Sequence, residues 1–102
     1  MISVKVSYTV KPDFVAQNKK NIGIFLADLR KLTSINFLYN VFLEDDGLTF
    51  LHVSMYENEE VQQTLMSVPS FKNFQKERDE SGLNNSHQLA HIQLIGTSLS
   101  VI

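Results

Sequence analysis

The sequence predicts an α+β fold in which a four-stranded antiparallel sheet carries its helices on one face. Three observations indicate this: an alternating apolar strand at the start, helical apolar spacing in two later segments, and a hairpin signal between those segments. With 102 residues, the chain suits one domain with one core. We therefore expect a single domain over residues 1–102.

The first strand is indicated by strict alternation. Ser3, Lys5, Ser7 and Thr9 alternate with the apolar positions, which are Ile2, Val4, Val6, Tyr8 and Val10. A period of two predicts a strand with one apolar face. Pro12 cannot donate to a ladder, so the strand ends at residues 11–13.

The first helix is predicted over residues 14–32, with Asp13 as its N-cap. Its apolar stripe comprises Val15, Ile22, Phe25, Leu26 and Leu29. Asn18 interrupts that stripe, and we interpret it as a partly exposed boundary residue. Gly23 costs a helix about 1 kcal/mol relative to Ala, which favours close packing against another element there.

A hairpin follows. Residues 35–43 and 48–56 are predicted strands, joined by a type I turn over Asp45 and Asp46 with Gly47 left-handed. In this register Asn40 opposes His52, and a loop one residue longer or shorter would separate them. One face of the hairpin then carries Phe37, Tyr39, Val41, Leu43, Leu51, Val53 and Met55. The other carries Asn36, Leu38, Asn40, Phe50, His52, Ser54 and Tyr56.

The second half begins with a capped helix. Asn58 is the predicted N-cap, Pro69 divides two short helices, and Gly82 lies just past the second. A polar connection over residues 83–87 leads to a fourth strand over residues 88–95 and a tail over 96–102. The order is β-α-β-β-α-β, the ferredoxin-like arrangement. The apolar hairpin face needs a cover, which predicts a sheet-to-sheet homodimer.

Composition excludes several classes of protein. A net charge of -2 argues against a nucleic-acid partner. The chain has no cysteine, which removes disulfides and thiolate chemistry. It also has no apolar run long enough to span a membrane. We expect a soluble cytoplasmic protein. His52, His87 and His91 have no carboxylate at suitable spacing, so no metal site is expected.

The stretch from Ser54 to Phe74 carries a family resemblance. An aromatic residue ends the third strand (Tyr56), an acidic helix start follows, and a Val68-Pro69 break precedes Phe71. This pattern resembles the antibiotic-biosynthesis-monooxygenase-like branch of the dimeric α+β barrel superfamily, and the match covers nearly the whole chain. The resemblance implies a pocket between sheet and helices. The oxygenase members of that branch often have a histidine at the position of Leu65. Because a leucine cannot bind haem iron, its presence here argues against haem degradation.

Two functions follow from these observations. The first is a dimer that binds a small apolar or aromatic ligand. The family resemblance implies that such a dimer could be a cofactor-independent monooxygenase of quinol or phenolic substrates. Here His52 is the base, Tyr56 the orienter and Asn40 the hydrogen-bond partner. The remaining pocket residues would be Lys5, Ser7, Ser54, Leu65 and Phe71. The second is a non-catalytic sensor, stress-responsive barrel or interaction module, in which His52 is a structural histidine bonded to Asn40 or to a backbone carbonyl.

Overall fold

A computed structural model describes residues 1–84 and 87–99. The four strands are β1 (Ile2–Thr9), β2 (Phe37–Leu43), β3 (Thr49–Tyr56) and β4 (Gln88–Ile92). A 3₁₀ turn (Pro12–Phe14) leads into α1 (Val15–Leu29), and α2 (Glu59–Met66) and α3 (Pro69–Glu77) follow the hairpin. A π-helical turn (Arg78–Gly82) extends α3. Part of the predicted connection (85–86) and the end of the tail (100–102) lie outside the described residues.

The strands form one antiparallel sheet in the order β2-β3-β1-β4. The predicted α+β class, antiparallel sheet and element order are therefore confirmed. Pro69 divides the second helical region as predicted. The Asn58 side chain accepts a hydrogen bond from the Val61 backbone N–H at 3.0 Å and caps α2.

The helix-facing side of the sheet forms the core. Its centre is a cluster of aromatic and aliphatic side chains, of which the largest fully buried members are Tyr8, Phe25, Phe50, Phe74 and Leu65. We refer to the opposite side as the outer face. It carries alternate residues of all four strands, among them Ser3, Lys5, Ser7, Leu38, Asn40, Phe42, Leu51, Val53, Met55, Ala90 and Ile92.

The hairpin loop is one residue longer than predicted. Gly47 has φ 72° and its N–H bonds to the Glu44 carbonyl, so the predicted turn and left-handed glycine are confirmed. The Glu44 N–H bonds to the Thr49 carbonyl, however, so Leu48 also belongs to the loop. The Asp46 carboxylate holds it there by accepting from the backbone N–H groups of Leu48 and Thr49, each at 2.8 Å.

This extra residue changes the register of β2. Asn40 pairs with Val53 and Val41 pairs with His52, so the predicted pairing of Asn40 with His52 is wrong. Because side chains alternate across a strand, a shift of one residue exchanges its two faces. Phe37, Tyr39 and Val41 therefore face the helices. The predicted orientation of Leu51, Val53 and Met55 on β3, away from the His52 face, is unaffected.

Two further expectations at the first helix are wrong. Asp13 lies in the 3₁₀ turn, and the residue before α1 is Phe14, which makes no side-chain cap bond. Gly23 has no atom within 4 Å of where a Cβ would lie, so close packing does not explain it. Gly82 is the tightly packed glycine instead, because a Cβ there would overlap the Phe14 ring.

Candidate functional site

His52 lies between two tyrosines at the centre of the core. Tyr8 Oη is 2.7 Å from His52 Nε2, and Tyr39 Oη is 2.7 Å from His52 Nδ1. Asn18 Nδ2 donates to Tyr8 Oη at 3.0 Å. We call these four residues, Asn18, Tyr8, His52 and Tyr39, the His52 chain. Both ring nitrogens of the histidine are thus hydrogen-bonded to side chains.

The strand register explains why these groups meet. Tyr8 opposes Phe50 across β1 and β3, and Tyr39 opposes Ser54 across β2 and β3. Each tyrosine is therefore diagonal to His52, two positions along β3 in opposite directions. Diagonal neighbours on one face of a sheet are within reach of long aromatic side chains. The central strand consequently presents His52 to one tyrosine from each flanking strand.

Phenylalanine rings enclose the His52 chain. Phe74 stacks on His52 with ring centroids 5.3 Å apart, and Phe25 lies edge-on to Tyr39 at 5.5 Å. Phe71 also lies edge-on to Tyr39, at 5.9 Å. His52 is 2% exposed and Asn18 is fully buried. The hydrogen bonds of the chain therefore lie in a low-dielectric environment, where they are strong and costly to leave unmade.

Burial also fixes the protonation states. Burial, together with the nearby charge of Arg78, lowers the pKa of His52 to about 3. Burial raises the pKa of Tyr8 and of Tyr39 above the usual tyrosine value. At neutral pH the chain therefore consists of a neutral imidazole between two neutral phenols.

Arg78 supplies the charge near this chain. Its guanidinium carbon lies 5.3 Å from the Tyr8 ring centroid and 5.4 Å from that of Phe74, and its Nε bonds to Asp79 at 2.8 Å. These are cation–π distances. The residue sits in the π-helical turn, and such turns are frequent at functional sites.

The His52 chain ends at Tyr39, which lines a groove on the protein surface. This α1–β2 groove has a volume of about 380 Å³ and is lined by Leu26, Leu29, Arg30, Phe37, Leu38, Tyr39, Asn40 and Val41. Apolar side chains from α1 and the edge strand β2 form most of its wall, with exposed Arg30 among the lining residues. Tyr39 is the member of the His52 chain that lines it.

A second groove, of about 450 Å³, lies where β2 begins and β3 ends. It is lined by Met1, Asn36, Phe37, Leu38, Met55, Tyr56, Glu57 and Leu99. His52 lines neither of these two grooves. Tyr56 lines the second, and burial raises the pKa of its hydroxyl.

The structure separates the residues that the sequence grouped into one pocket. His52, Ser54 and Tyr56 share the helix-facing side of β3, and Leu65 and Phe71 are buried in the core above the sheet. Asn40, Lys5 and Ser7 lie on the outer face instead, so the expectation that they share a pocket with His52 is wrong. The register shift accounts for Asn40. For Lys5 and Ser7, β1 presents its other face to the helices.

The sequence did not predict the roles of three members of the His52 chain. Tyr8 was assigned to the apolar face of β1 without a polar role, and Tyr39 was placed on the wrong face of β2. Asn18 was interpreted as partly exposed, which is wrong because the residue is fully buried. A polar residue in the middle of an apolar helical stripe was the signal that pointed to it.

Neither a protein-family model nor the sequence of a characterised protein matches the chain. Solved structures match it over nearly its whole length. A crystal structure of an antibiotic biosynthesis monooxygenase superposes with a TM-score of 0.80, at 9% identity, over 94% of this chain and 100% of that one.

Two further structures give the same result. A provisionally named antibiotic biosynthesis monooxygenase from Nitrosomonas europaea has a TM-score of 0.81 at 11% identity, over 94% of this chain and 100% of its own. A conserved protein from Methanosarcina mazei Go1 has a TM-score of 0.73 at 16% identity, over 91% and 93% of the two chains. At such identities the likeness concerns the fold. In the part of the chain that the structure describes, no helix is long and apolar enough to cross a membrane.

Proposed function

Because the chain has the fold of the antibiotic-biosynthesis-monooxygenase-like dimeric α+β barrels, we propose that it binds a small aromatic ligand and acts as a cofactor-independent monooxygenase of quinol or phenolic substrates. The observation that carries the proposal is the His52 chain, which leads from the buried core to the α1–β2 groove at Tyr39. A hydrogen-bonding side chain in the lining of an apolar groove is an arrangement that can orient a phenolic ring.

In the proposed reaction the substrate itself supplies the electrons that reduce oxygen. An electron-rich phenolate or enolate, formed when the substrate loses a proton to solvent, reduces oxygen itself; with an anthrone, one oxygen atom becomes a new carbonyl and the other leaves in water. The protein has to orient the ring and stabilise the charge on the substrate oxygen. Leu26, Leu29 and Phe37 provide the apolar wall, and Arg30, Tyr39 and Asn40 are the polar residues of the same lining.

His52 acts through Tyr39 in this proposal. The histidine is buried and its pKa of about 3 makes it a weak base, so it is not the group that meets the ligand. It holds the Tyr39 hydroxyl in place through the 2.7 Å contact at Nδ1. Ser54, Leu65 and Phe71 support the packing around the chain, and Tyr56 serves the second groove.

The protein is further proposed to work as a homodimer. Leu38 and Phe42 are 46% and 54% exposed on the outer face, beside the partly exposed Leu51, Val53 and Met55. An apolar surface of this kind is typical of an interface. Packing of two outer faces would leave both α1–β2 grooves at the edges of the paired sheets.

Oxygen consumption tests the enzymatic proposal. A panel of quinols, anthrones and simple phenols is offered to the protein, and an oxygen electrode and product mass measure turnover. Tyr39→Phe should lower kcat/KM at least tenfold for any substrate that the wild type oxidises, because one hydrogen bond to a charged oxygen is lost. Asn21→Leu is the matched control, since it removes buried hydrogen bonds on α1 outside the His52 chain.

Equal kcat/KM for Tyr39→Phe and wild type would remove Tyr39 and the groove from the mechanism. If no member of the panel is oxidised while ligands still bind, the protein is a binding protein of the non-catalytic kind. Addition of a metal chelator distinguishes a trace-metal contaminant, since the proposed reaction continues in its presence.

A further inference from the structure

The His52 chain has a direction, which follows from its hydrogen atoms. Asn18 Nδ2 donates to Tyr8 Oη, while Asn18 Oδ1 is buried without a partner. The opposite amide orientation would bury the NH₂ group where no acceptor lies. Buried N–H groups without partners are rarer than buried carbonyl groups without them. Asn18 is therefore the donor to Tyr8.

The next two bonds follow from this one. Tyr8 is 1% exposed, and its hydroxyl hydrogen needs a buried acceptor. His52 Nε2, at 2.7 Å, is that acceptor. A neutral imidazole carries its single hydrogen on the other nitrogen in that case, so Nδ1–H donates to Tyr39 Oη. The reverse direction would leave the Tyr8 hydroxyl hydrogen buried and unpaired.

The Tyr39 hydroxyl, at the end of the His52 chain, then has a hydrogen that no other member of that chain accepts. Tyr39 accepts from His52, so its own hydroxyl hydrogen is not used within the chain. Tyr39 lines the α1–β2 groove and is partly exposed as a residue, while its hydroxyl lies at the inner end of the ring, 2.7 Å from His52 Nδ1. We propose that the chain, directed from Asn18 through Tyr8 and His52, makes the Tyr39 hydroxyl a hydrogen-bond donor to the carbonyl or phenolate oxygen of an aromatic ligand in this groove.

This inference deepens the proposed function and rests on it for the location of the ligand. It specifies the class of atom that is recognised: an oxygen that accepts a hydrogen bond, on an otherwise apolar ring. Asn18 is a positioning residue here, because four hydrogen bonds separate it from the ligand and it acts through Tyr8, His52 and Tyr39. A ligand of the same shape without the oxygen should bind less well.

The first measurement concerns the free protein. Two-bond ¹H–¹⁵N NMR spectra of the histidine side chains report which ring nitrogen carries hydrogen. His52 should be protonated at Nδ1 and not at Nε2, at pH 7. Protonation at Nε2 would reverse the chain and overturn the proposal, whatever the protein catalyses.

The second measurement concerns the ligand and needs no turnover. 9-Fluorenone and fluorene share a shape and differ in the carbonyl oxygen, and neither is a substrate for oxygenation through a phenolate. NMR titration should show tighter binding of fluorenone to the wild type, by about tenfold for one hydrogen bond. Tyr39→Phe should bind the two compounds equally.

A preference for fluorenone that survives in Tyr39→Phe, or no preference in the wild type, would overturn the assignment of Tyr39 as donor. Failure of the oxygen-consumption test leaves both readouts intact. The two proposals therefore fail separately. Asn21→Leu is again the control, and it should keep the preference for fluorenone.

Discussion

At the scale of single residues, His52 makes the stability of the protein dependent on pH. An unfolded histidine titrates near 6.5, and the folded pKa of His52 is about 3. Between these values the unfolded state binds the additional proton, so stability falls as pH falls. From pH 7 to pH 5, His52 should lower the free energy of unfolding by about 2 kcal/mol.

Urea unfolding of wild type and His52→Phe at both pH values measures this contribution. The wild type should lose about 2 kcal/mol more than the variant, because the other titratable groups are common to both proteins. Equal losses would mean that His52 is not a neutral histidine held in the core.

Asn18 contributes two opposing terms to the stability of the protein. Its amide donates one hydrogen bond, worth about 1 kcal/mol, but its buried oxygen has no partner, at a cost of about 1–3 kcal/mol. Asn18→Leu should therefore be neutral or stabilising, by up to about 1 kcal/mol. Asn21→Leu should destabilise, because Asn21 Nδ2 donates to Glu77 at 2.8 Å and its Oδ1 accepts from Gln17.

Thermal or urea unfolding of the two variants gives the comparison. Clear destabilisation by Asn18→Leu would show that the buried oxygen is satisfied in solution. Stabilisation by Asn18→Leu would be the trade-off expected where a residue is kept for function.

At the scale of elements, the sequence predicted the order of strands and helices because each carries a local signal. Alternation marks β1, Asn58 caps α2 and Pro69 starts α3. The extent of the elements was less predictable. The first helix was predicted over 14–32 and ends at Leu29, and the fourth strand was predicted to 95 and ends at Ile92.

The candidate site was predicted less well for a physical reason. His52 was identified, but its partners depend on register, and register depends on one loop residue. A three-residue and a four-residue loop share the same Asp45-Asp46-Gly47 signal. What distinguishes them is the Asp46 side chain bonding to Leu48 and Thr49, a contact that forms only in the folded hairpin. Sequence periodicity carries no information on that contact.

At the scale of the whole molecule, the outer face determines assembly. If two copies pack through it, sedimentation at micromolar concentration should give a dimer. Phe42→Lys should weaken association at least tenfold, because a charge would be buried against an apolar surface. Leu89→Lys is the matched control, since Leu89 is 57% exposed but pairs with Val6, whose side of the sheet faces the helices.

A monomeric wild type in that experiment would contradict the proposed assembly, as would equal dissociation of the two lysine variants. Neither result would affect the His52 chain, whose four residues come from one copy. Assembly and the hydrogen bonds of the His52 chain can therefore be studied independently.

The loop over residues 45–48 has a consequence for how this chain tolerates change. Surface loops ordinarily accept insertions and deletions well. Here the loss of one residue would turn Tyr39 toward the outer face and bring Asn40 under the helices. Substitutions in the loop leave the count of residues intact, whereas a single-codon deletion would change the site at Tyr39, about 20 Å of extended chain or roughly six residues before Asp45. The length of this surface loop is thus constrained by the buried site, although its side chains are not part of that site.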